Sequence, residues 1–252
     1  MRPVSFTKMQ GLGNDFVVIE GPIDLSTEEV VELCDRRFGV GADGVLVVTR
    51  GDPVRMDYWN ADGSPAEMCG NGLRCVGRYV YDKGWAPDRN FTVATPVGER
   101  RVRMLDEGDV EVELGPTRVT GHTDFDGQRL HLIDVGNPHA VIIVDDPATV
   151  DVAVLGARIG TDSRFPNGTN VEFITVGEGE VTMRVWERGI GETSACGTGM
   201  VAAAFVATKT DKLTGSIPVN VTGGLGYVTF KDGVGWLRGP AEYSFRGSVG
   251  ER

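Results

Sequence analysis

The sequence makes one statement twice. Trp59-Asn60 leads to Met68-Cys69-Gly70-Asn71-Gly72, and Trp186-Glu187 leads, at the same spacing, to Ala195-Cys196-Gly197-Thr198-Gly199. Further anchors recur in the same order and at nearly one offset. Gly13-Asn14 before Phe16-Val17-Val18-Ile19 returns as Gly136-Asn137 before His139-Ala140-Val141-Ile142. Arg37-Phe38 with Gly41 and Asp43 returns as Arg164-Phe165 with Gly168 and Asn170, and Gly115-Pro116 returns as Gly239-Pro240. A solenoid would show several short periods, so a single repeat of this length means two domains of one fold. The expected halves are 1–116, carrying Cys69, and 117–240, carrying Cys196, with about 241–252 free to pack back on the first. Gly115 to Gly127 is polar and turn-rich and reads as the boundary.

Local signals are consistent with α+β halves. Phe6 to Ile19 reads as strand, Gly-Leu-Gly-Asn turn and strand. Ser26 with Glu29 is a capping-box pair and predicts a helix from Thr27 to about Arg37. Val45 to Val48 and Val54 to Trp59 are short strands bounded by Gly, Asp and Pro. A helix follows Cys69 and ends at Lys83-Gly84, and Phe91 to Leu114 supplies three more strands. The second half repeats the plan. Its helix after Cys196, Met200 to Ala207, is apolar all round, so it should be wrapped by protein. The helix after Cys69 carries Arg74 and Arg78 but keeps Leu73, Val76 and Val80 as a buried stripe. Each half is therefore expected to be a curved, mostly antiparallel sheet around a central helix.

At 252 residues, two such domains can each bury a core. The 36 glycines form no Gly/Ser run, so they suit tight turns and close backbone approach rather than linkers. A net charge of −11 argues against a nucleic-acid partner. No segment nears the ~18 consecutive apolar residues of a membrane span. The start, Met1 to Phe6, enters a strand-like run without a signal-peptide core, so a cytoplasmic location with reduced thiols is expected.

The chain has four cysteines, at spacings that match no zinc pattern. Cys34 and Cys75 lie on helix faces and read as small core residues. Cys69 and Cys196 differ, because each stands at a helix start, where a thiolate is favoured. The Gly-x-Gly after each leaves backbone N–H groups uncovered, ready to hold an anion. Two equivalent thiols suggest one site at the seam of the halves, with a sulfur on each side of a substrate. One would take a proton from carbon while the other returns one, with the backbone donors stabilising the charge that builds on a substrate carboxylate. One Cys-Gly-x-Gly could be mere helix entry, but two symmetric copies argue against that. A redox dithiol would put both cysteines in one local motif. Covalent catalysis by one cysteine would want a nearby base. His139 is the one histidine in a fitting loop, though a satisfied structural histidine is its plainer reading; His122 and His131 stand in ordinary positions.

Phe6-Thr7-Lys8-Met9, Gly11-Leu12-Gly13-Asn14-Asp15-Phe16, Asn60-Ala61-Asp62-Gly63-Ser64, Glu67-Met68-Cys69-Gly70-Asn71-Gly72, Gly136-Asn137-Pro138-His139, Asn170-Val171, Glu187-Arg188-Gly189 and Ala195-Cys196-Gly197-Thr198-Gly199 together resemble the diaminopimelate epimerases. The resemblance runs from Phe6 to about Phe245. It implies two similar halves, each wrapping a central helix, with the site in the cleft between them. It also implies interconversion of LL- and meso-2,6-diaminoheptanedioate without pyridoxal phosphate or another cofactor, in the pathway to lysine and peptidoglycan precursors. By position, Cys69 and Cys196 would be the acid–base pair, and Gly70, Asn71, Gly197 and Thr198 would hold the carboxylate at the reacting carbon. Asn14, Asn60, Asn137, Asn170, Glu187 and Arg188 would bind the amino and carboxylate groups, the distal ones included. No metal, nucleic acid or membrane is expected, and a homodimer is expected on the resemblance alone. Two departures stand out: Gly44, where some members have Gln, and Thr161-Asp162-Ser163, where Glu-x-His is frequent. Alternatives are a cofactor-independent racemase of histidine or proline type and a non-catalytic member of the fold; the proline type usually has His where this chain has Asn71.

Overall fold

The computed structural model describes residues 3–66 and 68–250; Glu67 of the first motif and the extreme ends of the chain lie outside them. The chain forms two compact units, 1–112 with 239–252 and 113–238. Each is an α+β fold dominated by strands.

The first unit contains β1 (Val4–Gly11), β2 (Asn14–Gly21), α1 (Thr27–Cys34), β3 (Gly44–Thr49), β4 (Val54–Asn60), α2 (Gly70–Asp82), β5 (Asn90–Thr95), β6 (Gly98–Met104), the start of β7 (Val110–Pro116) and, last in order of sequence, β17 (Glu242–Val249). Its strands run β17-β1-β2-β3-β4-β5-β6-β7. The β2–β3 and β4–β5 pairs are parallel and all others antiparallel. Parallel neighbours need a crossover, and α1 and α2 supply the two. The β1–β2 hairpin turns on Leu12 and Gly13, both at positive φ (56° and 77°), the primed turn that suits strand twist.

The second unit contains β8 (Arg118–Phe125), β9 (Gln128–Asp134), β10 (Pro138–Ile143), α3 (Val152–Gly160), β11 (Asn170–Val176), β12 (Val181–Glu187), the short β13 (Gly191–Thr193), α4 (Gly197–Thr210), β14 (Ile217–Val221), β15 (Gly224–Lys231) and β16 (Val234–Gly239). Here the order is β8-β9-β10-β11-β12-β14-β15-β16, with β10–β11 and β12–β14 parallel, and β13 pairs beside β12. The two orders are one topology. The outermost strand, β17 or β8, comes from the far end of the chain in the first unit and from the beginning of the second.

In both units the sheet curls around the second helix. Helix α2 touches β1, β2, β3, β4 and β6; α4 touches β9, β10, β11, β12, β14 and β15. Met200 to Ala204 are all buried, as an all-apolar helix requires. In α2 the sequence understated burial. Arg74 is 0% exposed, its Nε donating to the Pro240 carbonyl at 3.2 Å while Nη1 and Nη2 lack partners. Cys34 and Cys75 are buried, and burial pushes their thiols up to about 11 and about 12.

Two local expectations are corrected. Helix α1 keeps its Ser26–Glu29 capping box but stops at Cys34, short of Arg37. The Asp35 carboxylate accepts from the N–H groups of Arg37 and Phe38, both at 2.7 Å, and this local turn outcompetes another helical turn. The stretch 115–127 is mostly strand rather than turn, since β8 pairs with β9 through the Asp126-Gly127 hairpin. Its mostly exposed residues belong to an edge strand, which sequence polarity alone does not separate from a loop.

Candidate active site

In the first unit the β1–β2 turn delivers Asn14 to the start of α2. Cys69 is the N-cap of that helix, in extended conformation, and its sulfur accepts the N–H of Gly72 at 3.3 Å. The first two helical N–H groups, of Gly70 and Asn71, have no intrahelical acceptor. Asn14 Oδ1 lies 3.7 Å from Cys69 Sγ and accepts from Asn71 Nδ2 at 3.3 Å. Asn14 is itself held, because its Nδ2 donates to Asp43 at 2.7 Å and the N–H of Asp15 donates to the same carboxylate oxygen. Behind it Asp15 pairs with Arg36 at 2.7 Å and with buried Lys8 at 2.6 Å, and Lys8 Nζ also donates to the Gly41 carbonyl. Burial alone would raise the Asp15 carboxyl, but these two cations pull it down to about 2.

Asn60 ends β4, opposite Gly44 in register, with Nδ2 donating to Ser64 Oγ at 3.1 Å. Gly44 has a steric reason. A Cβ there would lie 2.4 Å from the Trp59 carbonyl and 2.5 Å from the Tyr58 ring, so the Gln of some relatives has no room on this backbone.

The second unit repeats the arrangement with different chemistry. Cys196 caps α4 and its sulfur accepts the N–H of Gly199 at 3.4 Å, leaving Gly197 and Thr198 N–H without intrahelical acceptors. Thr198 Oγ1 is 3.5 Å from that sulfur and accepts from Asn137 Nδ2 at 3.3 Å. Asn137 Oδ1 faces His139 Nε2 at 2.9 Å, and His139 Nδ1 faces Glu172 Oε1 at 2.6 Å. Both His139 and Glu172 are fully buried side chains. Glu187, ending β12, accepts from Thr193 Oγ1 and also meets Cys196. Asn170, opening β11, donates to the Pro138 carbonyl at 3.0 Å and accepts the Arg188 N–H at 3.0 Å, while the Arg188 guanidinium reaches the Asn167 carbonyl.

The electrostatics break the symmetry. Burial pushes the Cys196 thiol well above its usual range, and the Glu187 and Glu172 charges push further. The Thr198 hydroxyl and Gly199 N–H oppose this and lose. The helix-start effect expected to favour a thiolate is thus outweighed at Cys196. Burial likewise raises the Glu187 carboxyl, helped by Glu172 and opposed by Thr193, Cys196 and His139.

The fold therefore gathers Asn14, Cys69, Gly70 and Asn71 in one unit, and Asn137, Glu187, Cys196, Gly197 and Thr198 in the other. Asn60 sits one strand end away from the first cluster, and Asn170 with Arg188 forms a separate pair on β11–β12. His139 is satisfied at both ring nitrogens. His122 and His131 pair edge-on across β8–β9, at 5.0 Å between centroids. At the second departure, Asp162 pairs with Arg164 at 2.6 Å just past α3, and that bond holds its carboxyl at about 2. Sequence reasoning passed over Glu172 and the Lys8–Asp15–Arg36–Asp43 network. Glu172 was detectable as a lone charge in the apolar run Val171 to Ile174, where the first half has Leu46. Among the described residues no three His, Cys, Asp or Glu side chains are placed to hold a metal, and no helix is long and apolar enough to cross a membrane.

The family model described as diaminopimelate epimerase matches residues 6–120 and 131–243. A diaminopimelate epimerase of Alkalilimnicola ehrlichii is 40% identical, covering 98% of each chain, and one of Caldanaerobacter subterraneus subsp. tengcongensis is 38% identical, covering 97% of this chain and 98% of its own. Among solved structures, a phenazine biosynthesis protein of the PhzF family from Enterococcus faecalis aligns with a TM-score of 0.79 at 12% identity, covering 98% of this chain and 99% of its own. A probable proline racemase from Agrobacterium radiobacter aligns with a TM-score of 0.75 at 15% identity, covering 99% and 93%. At such identities these two speak for the fold alone.

Proposed function

Because the chain belongs to the diaminopimelate epimerase family, we propose that it is an isomerase interconverting LL- and meso-2,6-diaminoheptanedioate through Cys69 and Cys196, without pyridoxal phosphate. The observation that carries the roles is the pair of cysteine N-caps. In each, sulfur takes the third helical N–H, and the two N–H groups before it head the helix. Those N–H groups, of Gly70 and Asn71 and of Gly197 and Thr198, hold the carboxylate at the reacting carbon and stabilise the charge that spreads onto it as the α-proton leaves. Cys196, whose thiol is held protonated by burial and by Glu187, starts as the acid. Cys69 acts as the base once it has lost the proton that its sulfur directs at Asn14 Oδ1. After one turnover the sulfurs have exchanged protonation states, and the reverse reaction uses them in opposite roles.

Asn14, Asn60, Asn137, Asn170, Glu187 and Arg188 bind the amino and carboxylate groups, the distal ones included. Polar groups of this kind reject substrates that leave them unpaired. In the same reading the enzyme works in the cytoplasm as a homodimer. The test is α-proton exchange in D₂O, followed by NMR, with LL-diaminopimelate, L-histidine and L-proline in parallel under reducing conditions. Exchange and conversion to the meso isomer with diaminopimelate alone is the expected result. Exchange on histidine or proline alone would keep the two-thiol chemistry and replace the substrate; no exchange on any of the three would remove the reading.

A further inference from the structure

We propose that Asp43 is a positioning residue: it locks the Asn14 amide with its oxygen toward Cys69, so that Asn14 meets the Cys69 sulfur as an acceptor. The inference rests on the proposed role of Cys69 and extends it to a side chain that contacts no reacting atom.

An asparagine amide can turn over and offer either end, so its surroundings decide which end faces which neighbour. Asp43 Oδ1 accepts from Arg36 Nη2 at 2.8 Å, and Asp43 Oδ2 lies 2.7 Å from Asn14 Nδ2. A carboxylate in an ion pair only accepts, so the nitrogen end of Asn14 must face it. Oδ1 is then left for the start of α2, where it accepts from Asn71 Nδ2 at 3.3 Å and lies 3.7 Å from Cys69 Sγ. Turning the amide over would set oxygen against oxygen at Asp43, a clash that rotating the carboxylate cannot relieve.

Asp43 can serve as the template because it is itself fixed. Its N–H donates to the Asp15 carbonyl at 2.9 Å, and the Asp15 N–H returns a bond to Asp43 Oδ2 at 3.0 Å. Arg36 ties the two carboxylates together, and Lys8 holds Asp15 from β1. The charged groups around Asn14 and Cys69 are thus Lys8 on β1, Asp15 on β2, Arg36 past α1, Asp43 before β3 and Arg74 on α2.

Asn14 Oδ1 is accordingly a seat for the Cys69 thiol proton. Once that proton leaves, sulfur and Oδ1 are two acceptors face to face, so the locked amide favours hydrogen on the resting sulfur. The second unit is wired differently. Asn137 turns its Nδ2 toward Thr198, which stands where Asn71 stands. Asn170, the counterpart of Asp43 in the repeat, bonds the Pro138 carbonyl and the Arg188 N–H.

The test uses the full chain without substrate. In NMR of labelled protein, with Asn14→Ala for assignment, the Asn14 Nδ2 hydrogens should show a stronger NOE to the Asp15 N–H than to the Cys69 Cβ hydrogens. The reverse would overturn the lock. Alkylation of Cys69 by iodoacetamide at pH 7, followed by peptide mass spectrometry, reads the thiolate. Asp43→Leu frees the amide to turn its nitrogen to sulfur, so Cys69 should react about tenfold faster while kcat falls about tenfold. Asp43→Asn removes the same charge, but the two N–H donors at Oδ2 keep an oxygen there, so both rates should stay within about threefold of wild type. Equal acceleration of alkylation in both variants would trace the effect to charge and overturn the orientation, as would an unchanged Asp43→Leu. The wild-type NOE decides the orientation even where Asp43→Leu fails to fold. The expected NOE and alkylation pattern with no turnover of diaminopimelate would overturn the proposed function and leave the lock standing.

Discussion

Glu172 occupies on β11 the place that Leu46 occupies on β3, each beneath the third residue of the helix its unit wraps. A Cβ on Gly72 would lie 3.2 Å from Leu46 Cδ2, and a Cβ on Gly199 would lie 2.7 Å from Glu172 Oε1. The duplicated scaffold is the same at this point, and the two copies place an apolar methyl and a carboxylate at the same depth.

Gly199→Ala should therefore cost more than Gly72→Ala. Leu46 can move a few tenths of an ångström, and Ala gains helix propensity over Gly. Glu172 is anchored by His139 and cannot retreat as readily. Denaturant melts should show Gly72→Ala near neutral and Gly199→Ala destabilised by about 1–3 kcal/mol. Equal losses would mean that the carboxylate yields as easily as the methyl.

Cys69→Ala and Cys196→Ala should each fold, by circular dichroism, and each abolish epimerisation. Cys34→Ala and Cys75→Ala, which alter only buried core thiols, should retain activity. Full turnover by either of the first two variants would end the two-thiol mechanism.

Glu187 makes a prediction about pH. Its carboxyl is raised by burial, so the folded chain holds that proton to higher pH than the unfolded chain does. The stability from this group is present below the ordinary glutamate range and is lost as pH rises through the raised value. Glu187→Gln has nothing to ionise and keeps acceptors for Thr193. Its Tm should exceed that of wild type by a few degrees at pH 8, about 1 kcal/mol, with the gap closing toward pH 4. Turnover should fall in the same variant. A gap that widens on acidification would reverse the sign.

Asp15 predicts the opposite slope. Its carboxyl is depressed to about 2, so its contribution is present above the ordinary aspartate range and fades as pH falls toward 2. Asp15→Asn should cost about 2 kcal/mol at pH 7, less than a fully buried pair because Arg36 is exposed. The cost should shrink between about pH 4 and pH 2. Its effect on activity should follow through Asn14, whose acceptor Asp43 shares Arg36 with Asp15.

The duplication, both cysteine helix starts and the burial of α4 are readable from the residues alone, because they are written in spacing and in apolar pattern over short stretches. Hairpin turns such as Leu12-Gly13 were legible for the same reason, since the chemistry of the turn is local. The end of α1 was not, because a single carboxylate at Asp35 competes with the helix for backbone donors. Nor was the strand character of 118–125, whose polar residues read as loop until β9 lies beside them. That Glu172 stands behind His139 and beneath Gly199, and that Cys196 resists ionisation, emerges only in the folded chain. Those facts depend on residues from β10, β11, β12 and α4 that are distant in sequence and meet only when the sheet pairs. Electrostatic energies in a buried site are set by such distances, and a linear pattern does not carry them.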